Sequence, residues 1–107
     1  MAVDVAKRLA GPALVSNAAA TKYTVPSATT TVVKSIIVNN TSGTAATITI
    51  SIGSDAAGTE IYTAYSVAAN TTLVQPVWIP LVAAEIIQAL SGTNNVLNLT
   101  ITGVETS

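Results

Sequence analysis

Apolar and polar residues alternate along most of this chain with a period of two, which is the pattern of half-buried β-strands. The clearest run is ATITISI at residues 46–52, where isoleucines fall on one face and hydroxyl side chains on the other. Residues 32–40 are β-branched almost throughout, and residues 96–104 alternate again. The inward positions of these runs predict a buried core composed of Ile36, Val38, Ile48, Ile50, Ile52, Leu97, Leu99 and Ile101.

Turn sequences separate the apolar runs at intervals of roughly eight to twelve residues. They are NTSGT, GSDAAG, AANTT and SGTNN, and the first of them predicts a β-hairpin over residues 35–53. Residues 59–67 read as the next strand, and Pro76 and Pro80 restrict residues 73–81 to an edge strand or an irregular one. Residues 85–90 fit a short strand or one helical turn. We therefore predict an all-β fold, an antiparallel β-sandwich of seven or eight short strands, either Ig-like or jelly-roll.

The first 22 residues do not share this regular pattern. They hold three of the four bases, a weak helical signal at residues 3–9 and an interruption at Gly11-Pro12. We expect residues 1–22 to form an extended N-terminal arm that reaches a neighbouring subunit, and residues 23–107 to form the sandwich domain. The alternative is an N-terminal strand within the same sandwich. The expected partner-binding residues of the arm are the bases Lys7 and Arg8 and the apolar anchors Leu9, Leu14 and Val15.

Charged residues are sparse in this chain. They make up 8% of it, against about a quarter in an ordinary soluble domain, while half of the residues are hydrophobic. A monomer with this composition would have a poorly solvated surface and little net charge to keep copies apart. We therefore expect a homo-oligomer, a dimer or a trimer, in which other subunits cover much of the surface.

The residue types that carry most enzyme chemistry are missing from this composition. The chain has no His and no Cys, and these are the commonest general base and an effective nucleophile. Asp55 and Glu60 form the one close acidic pair, and they fit an ordinary turn better than a Ca²⁺ site, which needs six or more oxygen ligands. We predict no enzyme activity, no catalytic residue, no cofactor and no metal site.

Two classes of partner also lack support in the sequence. No basic patch with interleaved aromatic residues is present, so a nucleic-acid partner is not expected. No apolar run approaches the ~20 residues that cross a bilayer, so a membrane partner is not expected either.

Aromatic residues are few, and Trp78 between Pro76 and Pro80 is the most conspicuous. It could stack on a sugar or dock against a partner, or it could fill the core or a subunit interface. We favour the core or the interface. Tyr62 and Tyr65 are three positions apart, which on a regular strand places them on opposite faces, so at least one is expected to be exposed.

Motifs spread over nearly the whole chain resemble a group of small structural proteins of tailed bacteriophages. They are Arg8-Leu9, Tyr23 to Pro26, Val38 to Ser42, Ala46 to Gly53, Ala69 to Leu73 and Leu97 to Glu105. The resemblance implies a virion component, most directly a capsid decoration (cement) protein that binds the major capsid protein or neighbouring copies on the assembled head. A neck, tail or fibre component, including a host-binding module, is the alternative, and a non-viral surface adhesion domain is a second one.

Overall fold

The computed structural model describes residues 4–56 and 58–107, which form eight β-strands. Every predicted strand after residue 30 is present, and residues 85–90 belong to a strand and not to a helical turn. The strands are β1 (Asp4–Leu14), β2 (Ala20–Thr24), β3 (Thr30–Asn40), β4 (Ala46–Ile52), β5 (Glu60–Val67), β6 (Thr72–Leu81), β7 (Ile86–Ser91) and β8 (Leu97–Thr106).

The strands form two four-stranded sheets, with the orders β1-β8-β3-β6 and β2-β7-β4-β5. Four antiparallel pairs are nested in sequence: β1 with β8, β2 with β7, β3 with β6, and β4 with β5. This nesting is that of one long hairpin of four strand pairs rolled into two layers, which defines a jelly roll. The predicted antiparallel β-sandwich is confirmed, and the strand order selects the jelly roll over the Ig-like arrangement.

The hairpin predicted over residues 35–53 is wrong, because β3 lies in one sheet and β4 in the other. The buried side chain of Asn40 holds the crossing between them. Its amide nitrogen donates to the carbonyl oxygens of Thr44 at 2.9 Å and Val67 at 3.0 Å. Its carbonyl oxygen accepts from the backbone N–H of Ser42 at 2.9 Å. A period-two pattern is the same for a hairpin and for a crossing, so it could not distinguish the two.

The N-terminal segment belongs to the sandwich, which corrects the predicted boundary at residue 22. Strand β1 pairs with β8 from Asp4–Thr106 to Leu14–Asn98, and β2 pairs with β7 in the other sheet. Residues 4–9 are therefore strand and not helix, and residues 1–3 of the predicted arm lie outside the described residues. The segment joins the sandwich because its apolar side chains Leu9 and Val15 are buried in the core.

The core lies between the two sheets and agrees with the predicted set. Seven of the eight predicted core residues are at most 2% exposed, and the eighth, Ile52, is half-buried at the end of its strand. Thr49 and Ser51 on the other face of β4 are also buried. Ser51 donates to the Asp55 carboxylate at 2.8 Å, and Thr49 accepts from the Ala64 N–H at 3.0 Å. These contacts show that polar alternation does not always mark a solvent-exposed face.

An irregularity in the first sheet requires a glycine. The register of β3 against β8 shifts between Val33 and Ser35, opposite Gly103. A Cβ on Gly103 would collide with the Val32 carbonyl oxygen and would lie 3.1 Å from the Cα of Val33. The close approach of the two backbones therefore excludes a side chain at this position.

Candidate interaction surface

Among the described residues, most of the exposed large apolar side chains belong to two edge strands. Five of the seven lie on or directly after β5 and β6, and the other two, Val5 and Leu14, lie on β1. Strands β5 and β6 are each the last strand of a sheet, and β5 faces β3, the neighbour of β6, across the core. We call these two edge strands, together with Val82, the β5–β6 side. Its exposed large apolar residues are Ile61, Tyr65, Val74, Trp78 and Val82.

Strand β6 points a row of apolar side chains outward. Its exposure alternates along the strand, and Val74, Pro76, Trp78 and Pro80 occupy successive outward positions. Val74 is 60% exposed and Trp78 is 65% exposed. Trp78 is therefore not a core residue, which corrects one half of the favoured prediction and leaves a subunit interface or another binding surface.

Pro76 and Pro80 shape the free edge of β6. They pair with Ser35 and Val32 of β3, and β6 is an edge strand as the sequence predicts. Proline has no backbone N–H, so in a paired edge strand its nitrogen faces the free side. The edge therefore lacks two donors that an added strand would need, and a partner on this side has to bind mainly through side chains.

The two tyrosines of β5 contact each other, so the prediction that they occupy opposite faces is wrong. Their ring centroids are 5.7 Å apart at an interplanar angle of 72°. The register of β5 against β4 shifts between the Tyr65 and Tyr62 pairs, and Ala64 between them has a φ of 44°. This bulge turns both rings to one side. Burial, and then the neighbouring Tyr65, raise the pKa of Tyr62 above its ordinary value. Tyr65 is exposed, as predicted for at least one of the pair.

The predicted partner-binding residues of the N-terminal segment fall into two groups. Leu9 and Val15 are buried in the chain's own core and are not free to anchor a partner. Arg8 and Leu14 are exposed on β1, and Lys7 forms an ion pair with Glu105 at 3.2 Å. Partner binding by the exposed members of this set stays a prediction.

A cluster around Tyr23 joins the two sheets at a distance from the β5–β6 side. The Tyr23 hydroxyl donates to Glu105 Oε2 at 2.5 Å and lies 2.8 Å from Thr31 Oγ1. Burial, and then the hydrogen bond to Glu105, raise the pKa of Tyr23 to about 12. The same hydrogen bond, assisted by Lys7, lowers the pKa of Glu105. The partners are 82 residues apart, so no local sequence pattern could indicate the contact.

The acidic side chains all accept hydrogen bonds from their own chain. Asp55 accepts from Ser51 at 2.8 Å, and Glu60 accepts from Thr63 at 2.7 Å, so the two acids that were weighed as a Ca²⁺ site are engaged in local structure. Within residues 4–56 and 58–107, no three potential metal ligands come together. The remaining acids bond as follows: Asp4 to Thr106, Glu85 to the N–H of Val82, and Glu105 to Tyr23 and Lys7.

One shallow depression lies at the end of the sandwich. Its volume is about 400 Å³. The depression is lined by small and hydroxyl residues without a side-chain charge, namely Ala28, Thr29, Thr30, Ala83, Thr106 and Ser107.

No helix among the described residues is both long and apolar enough to cross a membrane.

Comparisons with known proteins give similarity of fold only. No protein-family model matches the sequence, and no curated protein matches it. Among solved structures, one of infectious bursal disease virus, Gx strain, is similar with a TM-score of 0.48 and 11% identity, over 99% of this chain and 31% of that one. The coat protein dimer of Tobacco streak virus is similar with a TM-score of 0.45 and 12% identity, over 99% of this chain and 84% of that one. This chain thus spans about a third of the first structure's chain, and the jelly-roll assignment follows from the strand order without either of them.

Proposed function

We propose that this chain is a non-enzymatic structural protein of a virus particle, specifically a capsid decoration protein bound to the assembled head of a tailed phage. The observation that carries the proposal is the outward row of apolar side chains on β6, which includes Val74 and Trp78, on a sandwich in which only 8% of residues are charged. Isolated exposed apolar residues are ordinary, but neighbouring ones on one face of a strand are typical of protein–protein contact. We propose a phage particle because the sequence motifs resemble those of small structural proteins of tailed phages.

The polar chemistry of the chain supports a structural role. Each of its five acids accepts a hydrogen bond from a neighbouring side chain or backbone group of the same chain. Hydroxyl and amide groups such as those of Asn40 and Ser42 hold turns and strand crossings. The polar groups stabilise the sandwich, and within residues 4–56 and 58–107 none of them is arranged as a nucleophile beside a base.

The major capsid protein is the partner that we propose for the β1 edge. Arg8 and Leu14 are exposed there and offer one charge and one apolar contact, as the sequence predicts for this segment. Repeated copies on a shell strengthen an assembly whose single contacts are modest. The protein would then be located in the virion.

The test is a binding experiment with heads and tails of the encoding phage, purified separately and incubated with the full chain. We expect saturable co-sedimentation with heads, weakened by Arg8→Glu and Leu14→Ser together. Binding only to tails or neck structures would replace the decoration role with the alternative one. Binding to neither would contradict a structural role in the virion.

A further inference from the structure

The outer face of the first sheet, the side of β1-β8-β3-β6 that points away from the core, can be followed across all four strands. Directly paired residues of neighbouring antiparallel strands lie on the same side of a sheet. Pro76 of β6 pairs with Ser35 of β3, and Ser35 pairs with Thr102 of β8. Thr102 pairs in turn with Arg8 of β1, which is exposed. Lys34 lies on this face as well, because Lys34 and Ser35 stand at the bulge between two residues, 33 and 36, that are buried in the core.

Apolar side chains are exposed at both edges of this outer face. Val74 and Trp78 share the outward side of β6. At the other edge, Leu14 of β1 is 50% exposed and pairs with Asn98, whose two neighbours along β8 are buried in the core. Among the described residues, three of the seven exposed large apolar side chains therefore belong to one face of one sheet.

The two bases without a partner in the described part of the chain lie on this same face. Lys7 is held by an ion pair at 3.2 Å, and Lys22 donates to a backbone carbonyl oxygen at 3.4 Å. Arg8 and Lys34 form no such contact within residues 4–56 and 58–107, and both are exposed. The outer face therefore offers two positive charges among uncharged side chains.

Carboxylates that could pair with these bases are scarce on the chain itself. All five acids accept hydrogen bonds from their own chain, and four of them are half-buried. The exposed one, Asp4, lies at the end of β1 and accepts from Thr106 at 2.7 Å. A second copy set against this face by two-fold symmetry would bring bases towards bases. A partner with carboxylates of its own fits the face better than a copy of this chain.

We propose that the outer face of the first sheet lies on the viral shell, and that the major capsid protein presents to it an apolar patch flanked by carboxylates. This inference rests on the proposed function, and it adds the orientation of the bound chain and the chemistry of its partner. Trp78 and Val74 contact the apolar patch, and tryptophan is a residue type enriched at the centres of interfaces. Arg8 and Lys34 pair with the carboxylates, and such charge pairs fix how the two surfaces meet.

The test is co-sedimentation of the full chain with purified, nuclease-treated heads of the encoding phage, from about 50 to about 300 mM salt. Trp78→Ser should weaken binding roughly 30-fold or more. Lys34→Glu should weaken it roughly 2- to 30-fold at the lowest salt, because an ion pair is replaced by repulsion. This second deficit should shrink as salt rises, since exposed charges are screened.

The control variant is Thr24→Glu. Thr24 is an exposed residue of β2 in the other sheet, so this variant introduces the same acid away from the proposed contact and should leave binding unchanged. Circular dichroism checks that each variant is folded.

The outcomes separate this orientation from the proposed function. Heads that bind Trp78→Ser as well as the unchanged chain, or Lys34→Glu as well as Thr24→Glu, would overturn the orientation and leave the decoration role intact. An unchanged chain that binds no heads, or binds them only before nuclease treatment, would overturn both. A dimer in sedimentation velocity that Trp78→Ser dissociates would assign the face to a second copy and would also overturn the proposal.

Discussion

The substitution Asn40→Asp tests whether one buried amide holds the crossing from β3 to β4. Asn40 is 1% exposed. Its amide nitrogen donates to the carbonyl oxygens of Thr44 and Val67, at 2.9 and 3.0 Å. Aspartate has the same shape but sets a carboxylate oxygen against these two acceptors, while the bonds from Ser42 to the other oxygen can remain.

The expected cost follows from the groups left without partners. In the buried contact with Val67 a carbonyl oxygen loses its donor, at about 1–3 kcal/mol, and a buried charge without a counter-ion costs about 3–5 kcal/mol. Because these terms overlap, we expect Asn40→Asp to lower the free energy of unfolding by about 4–6 kcal/mol at neutral pH. That is a large part of the about 5–15 kcal/mol available to a domain.

The assay is urea unfolding followed by circular dichroism, since the exposed Trp78 is a poor reporter of folding. Asn39→Asp is the matched control, because Asn39 is only half-buried and accepts one bond, from Thr72 at 3.2 Å. It should cost less than about 1 kcal/mol. The folded state raises the pKa of the introduced carboxyl, so the deficit should shrink as pH falls from that raised pKa to about 4, the ordinary pKa of aspartate, and level off below it. A loss below about 1 kcal/mol in Asn40→Asp, or one equal to that of Asn39→Asp, would refute the reasoning.

Three further predictions concern packing, backbone approach and pH. Ile50→Ala should cost about 2–5 kcal/mol in urea unfolding because Ile50 is fully buried, and a loss under about half a kcal/mol would exclude it from the core. Gly103→Ala should destabilise the fold through the collision with β3, whereas Gly43→Ala meets nothing within 4 Å; equal melting temperatures would contradict the bulge. Stability measured against pH should fall as pH rises from about 10 to about 12, because unfolded tyrosine ionises before Tyr23, and Tyr23→Phe should reduce that fall. The free energy of unfolding should also fall as pH drops through the lowered pKa of Glu105. A free energy of unfolding that does not change with pH in this acid range would contradict the contact between Tyr23 and Glu105.

Local patterns in the sequence predict the strands well because each strand needs only its own alternation. The run 46–52 coincides with β4, and its three isoleucines face the core. Pairing between strands is different, because it depends on residues far apart in the chain. The crossing after Asn40 depends on Val67, 27 residues away. The N-terminal strand depends on β8 at the other end of the sequence.

Less of the candidate interaction surface could be predicted from the sequence. Sparse charge predicts a covered surface and Trp78 is an interface candidate, but neither shows that the exposed apolar residues lie on edge strands. That placement requires the sheet order, which puts β5 and β6 each at the edge of a sheet. The contact between Tyr62 and Tyr65 was missed because a bulge at Ala64 breaks the period of two.

The most direct test of the central claim is a map of the intact particle of the encoding virus at side-chain resolution. The account predicts jelly-roll density of this chain at repeated positions on the shell, with Trp78 buried against protein. Particles that lack the chain, or a bound chain whose β5–β6 side faces solvent, would contradict it.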